Sequence, residues 1–222
     1  MAEPVDERRV LRAWLAREAE RAAVDVDPST ASRADLVDAL LSAKPGAATF
    51  LCRERPIRWY RVDLDWATFA TLSPVRGPDD RLWRAASTDG TLVGVAEHAR
   101  EHGIRALSDH GVDAGAVRRY RDALAAGDGL DPLVVRTRRG ATPWYVADGN
   151  HRATAVALRR LDAAGEGPVD DENRPVADGY DPVTVHVAVT ENPVARPALD
   201  RLRGLLQRPR GRRIAGRGPP SE

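Results

Sequence analysis

The apolar positions of this chain follow two rhythms. Over residues 5–23 they recur at the helical period. Val10, Leu11, Trp14 and Leu15 share one stripe, and arginines and glutamates fill the rest, which predicts an amphipathic helix. Ser32, with Asp35 three residues on, has the form of a capping box. It should open a second helix that carries Leu36, Val37, Leu40 and Leu41 and stops at Lys44-Pro45-Gly46. Together the two helices are expected to form a small N-terminal cap over residues 1–52. Two further helices are expected, Thr91–His102 closed by Gly103 and 114–126 capped by Asp113.

The second rhythm is that of strands. Ile57 to Trp66 is rich in aromatic and β-branched residues. Leu133–Val135 and Trp144–Ala147 read as two short strands joined by a turn at Arg138-Arg139-Gly140. Val183, Val185, Val187 and Val189 alternate with Thr184, His186 and Ala188, the pattern of a half-buried strand. Residues 73–90 read as a long loop and 162–181 as an acidic one. A short helix near 196–207 is expected to lead into a flexible tail, Arg208-Pro209-Arg210-Gly211-Arg212-Arg213. The strands lie too close together for a regular βαβ series, so the fold class expected is α+β.

Composition narrows the function classes. The 222 residues are 42% hydrophobic and 30% charged, which predicts a soluble globular chain with enough length for a substantial core. A net charge of +1 gives no global field toward nucleic acid or membrane. Cys52 is the sole cysteine, so intramolecular disulfides and cysteine-based zinc clusters are excluded. With an acidic N-terminus and no long apolar run, a cytoplasmic location and no membrane partner are expected. Lys44 is the only lysine, and its neighbours Ala43 and Pro45 do not form a P-loop.

The chemistry concentrates at one corner. After Trp144-Tyr145-Val146-Ala147 come Asp148-Gly149-Asn150-His151-Arg152, and then a helix-forming run. The first amides of a helix lack intrahelical partners and carry the positive end of its dipole, so they attract anions. Gly149 allows close approach to the backbone, Arg152 can form a bidentate pair with phosphate, and His151 can donate or shuttle a proton. Asp148 can hold Mg²⁺ or orient the histidine. The plainer alternative is a tight turn capped by Asp148, with His151 and Arg152 facing solvent.

This box, with the upstream "VRRYRDALAAGDGLDPLVV", resembles the ParB/sulfiredoxin superfamily over roughly residues 104–190. The resemblance implies a ParB/sulfiredoxin-like domain, residues 53–195, with a small mixed sheet flanked by helices. Residues 196–222 would form a separate C-terminal helix and basic tail. It also implies nucleotide binding (ATP, ADP or CTP) through Gly149, Asn150, His151 and Arg152, with Asp148, His151 and Arg152 catalytic and Asp148 on Mg²⁺. Sulfiredoxins carry their catalytic cysteine where this chain has Asn150, which argues against sulfinate repair. The roughly thirty residues after the Val183 strand are too few for a partition protein's DNA-binding and dimerisation domains.

A Mg²⁺-dependent phosphotransferase similar to the free-serine kinases, or a nucleoside-triphosphate hydrolase, is therefore expected, with a small-molecule acceptor. The base such kinases use has four candidates here, Glu54, Asp63, Asp65 and Glu97. The alternatives are a DNA-associated module or nuclease, touching nucleic acid through the C-terminal arginines, and a domain that binds nucleotide only to regulate a partner. On this reading Arg152→Ala removes nucleotide binding and leaves the fold intact.

One other pattern stands apart. His98-Ala99-Arg100-Glu101-His102 matches H-x-x-E-H, which would set two imidazoles on one helix face. Its third ligand is not identified in the sequence, and a solvated helix face is the plainer reading.

Overall fold

The computed structural model describes residues 2–20, 26–54, 56–75, 80–166 and 182–191. All lie within one unit, Met1–Glu191. In chain order the elements are β1 (Glu3–Pro4), α1 (Glu7–Ala19), α2 (Arg33–Ala43), α3 (Pro45–Ala48), α4 (Phe50–Arg53), β2 (Ile57–Leu64), α5 (Trp66–Phe69) and β3 (Ser73–Pro74). There follow α6 (Leu82–Ala85), α7 (Leu92–His102), a 3₁₀ segment (Ile104–His110), α8 (Ala114–Ala125), β4 (Leu133–Arg138), β5 (Ala141–Asp148), α9 (Asn150–Glu166) and β6 (Val183–Thr190).

The helix starts follow the side chains that cap them. Both halves of the Ser32/Asp35 capping box form. Asp6, Asp65, Thr91 and Asp113 each accept a hydrogen bond from an amide of the first turn that follows. Gly103 ends α7 at φ +84°. Between β4 and β5 the two turn residues, Arg139 and Gly140, both have positive φ, as a tight hairpin requires.

The six strands make one mixed sheet in the order β1-β2-β6-β4-β5-β3. β6 runs antiparallel to β2 and parallel to β4, while β4 pairs antiparallel with β5 and β3 runs parallel to β5. Helices cover both faces. On one face, Val10, Leu11 and Trp14 of α1, with Leu36 and Leu40 of α2, pack against Trp59, Val134, Ala147 and Ala188. On the other, α7, α8 and α9 pack against Val135, Val146, Val185 and Val187. The protein is therefore a mixed α/β fold with a six-stranded mixed sheet, and its N-terminal helices form one of the two helical layers.

Several expectations change. β6 is not half-buried. It lies between β2 and β4 beneath helices on both sides, so Ala188 and Thr190 are as inaccessible as Val185. Residues 73–90 are not simply a loop, since β3 adds an edge to the sheet and α6 places Trp83 in the core. The first helix ends at Ala19, and Trp66 opens α5 rather than ending β2. α9 runs on to Glu166. The rest of the acidic loop, the 196–207 helix and the arginine tail lie outside the described residues. Among the described residues no helix is long and apolar enough to cross a membrane.

Candidate functional site

At the end of β5 the pairing with β4 slips. Val146 lies opposite Val135, yet Asp148 lies opposite Val134. Strict alternation from Val146 would keep Asp148 on the α7–α9 side, and the slip delivers it instead to the face under α1 and α2. There Asp148 Oδ1 accepts from Lys44 Nζ at 2.9 Å and Oδ2 accepts from Arg152 Nη2 at 2.7 Å. Arg17 Nη2 stands 3.5 Å from Oδ2. Lys44 also meets Glu18 at 2.7 Å. Burial pushes the Asp148 carboxyl up, but Arg152, Lys44 and Arg17 pull it down by more, leaving it below the ordinary carboxylate range.

Gly149 turns the chain at φ +98°. A Cβ there would come within 2.6 Å of Leu133 Cδ2 and 2.9 Å of Arg152 Nη2, so the turn sits directly on the guanidinium. Beneath it Arg152 is 3% exposed, and its Nη1 donates to the Asp131 carbonyl at 3.3 Å. Asn150 Oδ1 accepts from Val75 N at 3.3 Å and its Nδ2 donates to Val146 O at 3.4 Å, which ties the segment after β3 to β5. His151 is half-buried, edge-on to Trp83 with ring centres 4.7 Å apart. It also stands close enough to Asp113 to help lower that carboxyl.

These positions revise the roles read from sequence. Arg152 does not face outward; its guanidinium is spent on Asp148 and on the Asp131 carbonyl, so it is not placed to clasp a ligand phosphate. Asn150 works as a clamp between segments. Asp148 is a hub for three cations, a donor set that does not fit a Mg²⁺ site, because its oxygens already face Lys44, Arg152 and Arg17. The four candidate bases are engaged elsewhere or face solvent. Glu54 binds Arg136 and Thr190, Asp63 binds Thr184, Asp65 caps α5, and Glu97 is exposed on α7.

Two residues that sequence reasoning passed over complete the corner, Arg17 and Lys44. Their signal was present. The α1 stripe of Val10, Leu11, Trp14 and Leu15 continues at the next helical positions into Arg17 and Glu18, charges on an otherwise apolar line. Arg17 Nε and Nη2 are shielded from solvent; Nη2 faces Asp148, while Nε has no hydrogen-bond acceptor among the described residues. Burial and the nearby Arg152 lower the Arg17 guanidinium below its ordinary value, against the pull of Asp148 and Asp131. His186 pairs across the sheet with Val134, one strand from Asp148, and its Nδ1 is likewise without a partner among the described residues. Burial, then Arg17, Arg61 and Arg9, hold its imidazole below the usual value.

At the turn that opens α9, three cations, Arg17, Lys44 and Arg152, meet three carboxylates, the buried Asp148 and Glu18 and the exposed Asp131. A separate cavity of about 300 Å³ opens at the other end of the hairpin, lined by Glu54, Arg136, Arg138, Pro143 and Tyr145. There Glu54 pairs with both arginines. No protein-family profile, curated protein or solved structure matches this chain.

Proposed function

We propose that the protein binds a phosphate-bearing ligand, a nucleotide, at the start of α9, with Arg17 as the phosphate-facing side chain. The observation that carries this reading is the buried Arg17 guanidinium, whose Nε has no hydrogen-bond acceptor among the described residues, set beside a helix N-terminus. A buried donor without an acceptor is costly, and an anion that accepts from it relieves that cost. The Asp148-Gly149-Asn150-His151-Arg152 box supports a ParB/sulfiredoxin-like version of the mixed sheet. In it the box shapes the corner from beneath, while the side chain that meets the ligand comes from the N-terminal layer.

The geometry favours binding over turnover. Asp148 and Arg152 are held by each other, which leaves His151, half-exposed and near Asp113, as the member of the proposed catalytic set able to exchange a proton. A phosphotransferase or hydrolase activity at this corner would rest on His151.

The test is calorimetry of the full chain with ATP, ADP, CTP and inorganic phosphate, followed by phosphorus NMR of the products. At least one nucleotide should bind, and Arg17→Gln should weaken it tenfold or more at unchanged melting temperature. No binding by any of the four, or equal affinity in Arg17→Gln, overturns the proposal. Binding without product formation identifies a binding domain; products lost in His151→Ala identify an enzyme.

A further inference from the structure

The two strands of the β4–β5 hairpin do not match in length. Arg136 lies opposite Tyr145 and Arg138 opposite Ala141, so β4 spans with Thr137 alone what β5 spans with Thr142, Pro143 and Trp144. The longer strand bows away from the shorter one. The cavity of about 300 Å³ lies at this bow, at the opposite end of the hairpin from Gly149 and the start of α9.

Its lining brings two kinds of chemistry together. Ala141, Pro143 and Tyr145 of β5 supply apolar surface, and Arg136 and Arg138 of β4 supply guanidinium groups. Arg136 is held in place before any ligand arrives. Its guanidinium carbon lies 5.3 Å from the centre of the Tyr145 ring and 5.9 Å from that of Phe50, and its Nη1 donates to Glu54 Oε1. Arg138 Nη2 reaches the same oxygen at 3.5 Å, while Glu54 Oε2 accepts from Thr190 at 2.9 Å. Burial pushes the Glu54 carboxyl up, but Thr190, Arg136 and Arg138 lower it by more, so it is ionised at neutral pH. Among the lining residues two guanidiniums therefore share one carboxylate, and of the N–H donors of Arg136 only Nη1 meets an acceptor among the described residues.

We propose that this cavity binds a small monocarboxylic acid with an apolar, ring-sized body, its carboxylate on Arg136 and Arg138 and its body against Pro143 and Tyr145. A carboxylate fits the planar fork of a guanidinium with two parallel hydrogen bonds. One negative charge balances the surplus of one cation among the lining residues, whereas an ammonium ligand would be repelled. The volume stands at the lower end of the roughly 300–1,000 Å³ of small-molecule sites, which suits a single ring with its carboxylate. The clamp of Arg136 between Glu54 and two rings reduces the ordering that binding would otherwise require. The site shares no residue with the corner at α9, so it stands or falls apart from the phosphate reading.

Benzoate is the probe, titrated into the full chain and followed in ¹H–¹⁵N spectra, with benzamide and acetate as controls. Benzoate should bind saturably with a Kd of about 1 mM or tighter, and the signals it shifts should fall within residues 136–145. Benzamide lacks the charge and acetate lacks the body, so each should bind about fivefold more weakly, or worse. Arg138→Gln should weaken benzoate by about the same factor; the side chain is exposed, so the fold withstands the change. Arg119→Gln, which removes an equal charge from the exposed side of α8, should bind benzoate as the unaltered chain does. Absence of saturable binding, equal affinity for benzamide, unchanged affinity in Arg138→Gln, or shifts gathered at residues 148–152 instead overturns the assignment.

Discussion

Arg152 Nη2 donates to Asp148 Oδ2 at 2.7 Å across the Gly149 turn, and each side chain is 4% exposed. A pair so enclosed belongs to the architecture of the corner. Removing one member leaves the other charged and buried, which commonly costs about 3–5 kcal/mol. Lys44 and Arg17 remain beside Asp148 and soften the loss, so Arg152→Ala should cost about 3 kcal/mol. Where the sequence alone led to the expectation of an intact fold, the burial of the pair predicts a measurable loss of stability. Urea unfolding of the variant checks it, and a loss below about 1 kcal/mol would show that the pair is dispensable.

Gly149→Ala should destabilise by roughly 2–4 kcal/mol. The positive φ strains any residue with a Cβ, and the new methyl would meet Leu133 and the Arg152 guanidinium at under 3 Å. Leu133 is 1% exposed and has no open side to retreat to. The difference in urea midpoint between the two proteins measures the effect, and an unchanged midpoint would contradict the close approach.

Acid should weaken the fold partly through Asp148. Its carboxyl is held below the ordinary value of about 3.9, so the unfolded chain takes up the proton first as pH falls. The stabilisation is therefore complete above about pH 5 and lost as pH drops through the folded value. Asp148→Asn should be less stable at pH 7 and show a flatter decline below pH 5. Unfolding midpoints at pH 7, 4 and 2.5 for both proteins test the sign.

His186 has the same sign for a different reason. Burial comes first among the causes that lower it, followed by the three arginines. Protonation of the unfolded chain below about pH 6.5 therefore draws stability from the native state. In the ¹H–¹⁵N spectrum of the native protein, its imidazole should remain neutral at pH 6.5. Saturating phosphate should raise its midpoint if the anion sits beside Arg17. A midpoint at or above the ordinary value without ligand would place His186 away from that cationic cluster.

The capping box offers the simplest check on what was legible in sequence. Ser32 Oγ accepts from Asp35 N at 3.3 Å, and Asp35 Oδ2 accepts from Ser32 N at 3.1 Å. Ser32→Ala should cost about 1 kcal/mol. Thermal melts should register it as a small, cooperative shift.

Ser32, Thr91 and Asp113 could be read directly because capping depends on residues within one turn. The same holds for the Arg139-Gly140 hairpin and for the periods of α1, α7 and β2. The crowding of Asp148, Gly149, Asn150, His151 and Arg152 at a strand-to-helix corner was also plain. Which way those side chains turn was not. The slip that swings Asp148 under α1 is a property of β5 against β4. The meeting of Arg17, Lys44 and Asp148 joins residues more than 100 positions apart. The burial of β6 on both faces depends on helices from opposite halves of the chain, and His110 packs edge-on against His98 only through the turn at Gly103. The sequence by itself determined the long helices and main strands, several of their caps and the place where the chemistry gathers, because those follow from neighbours along the backbone. Tertiary structure alone decided which charges are paired and which donors stay unsatisfied, because burial and distance are set by contacts that no local window contains.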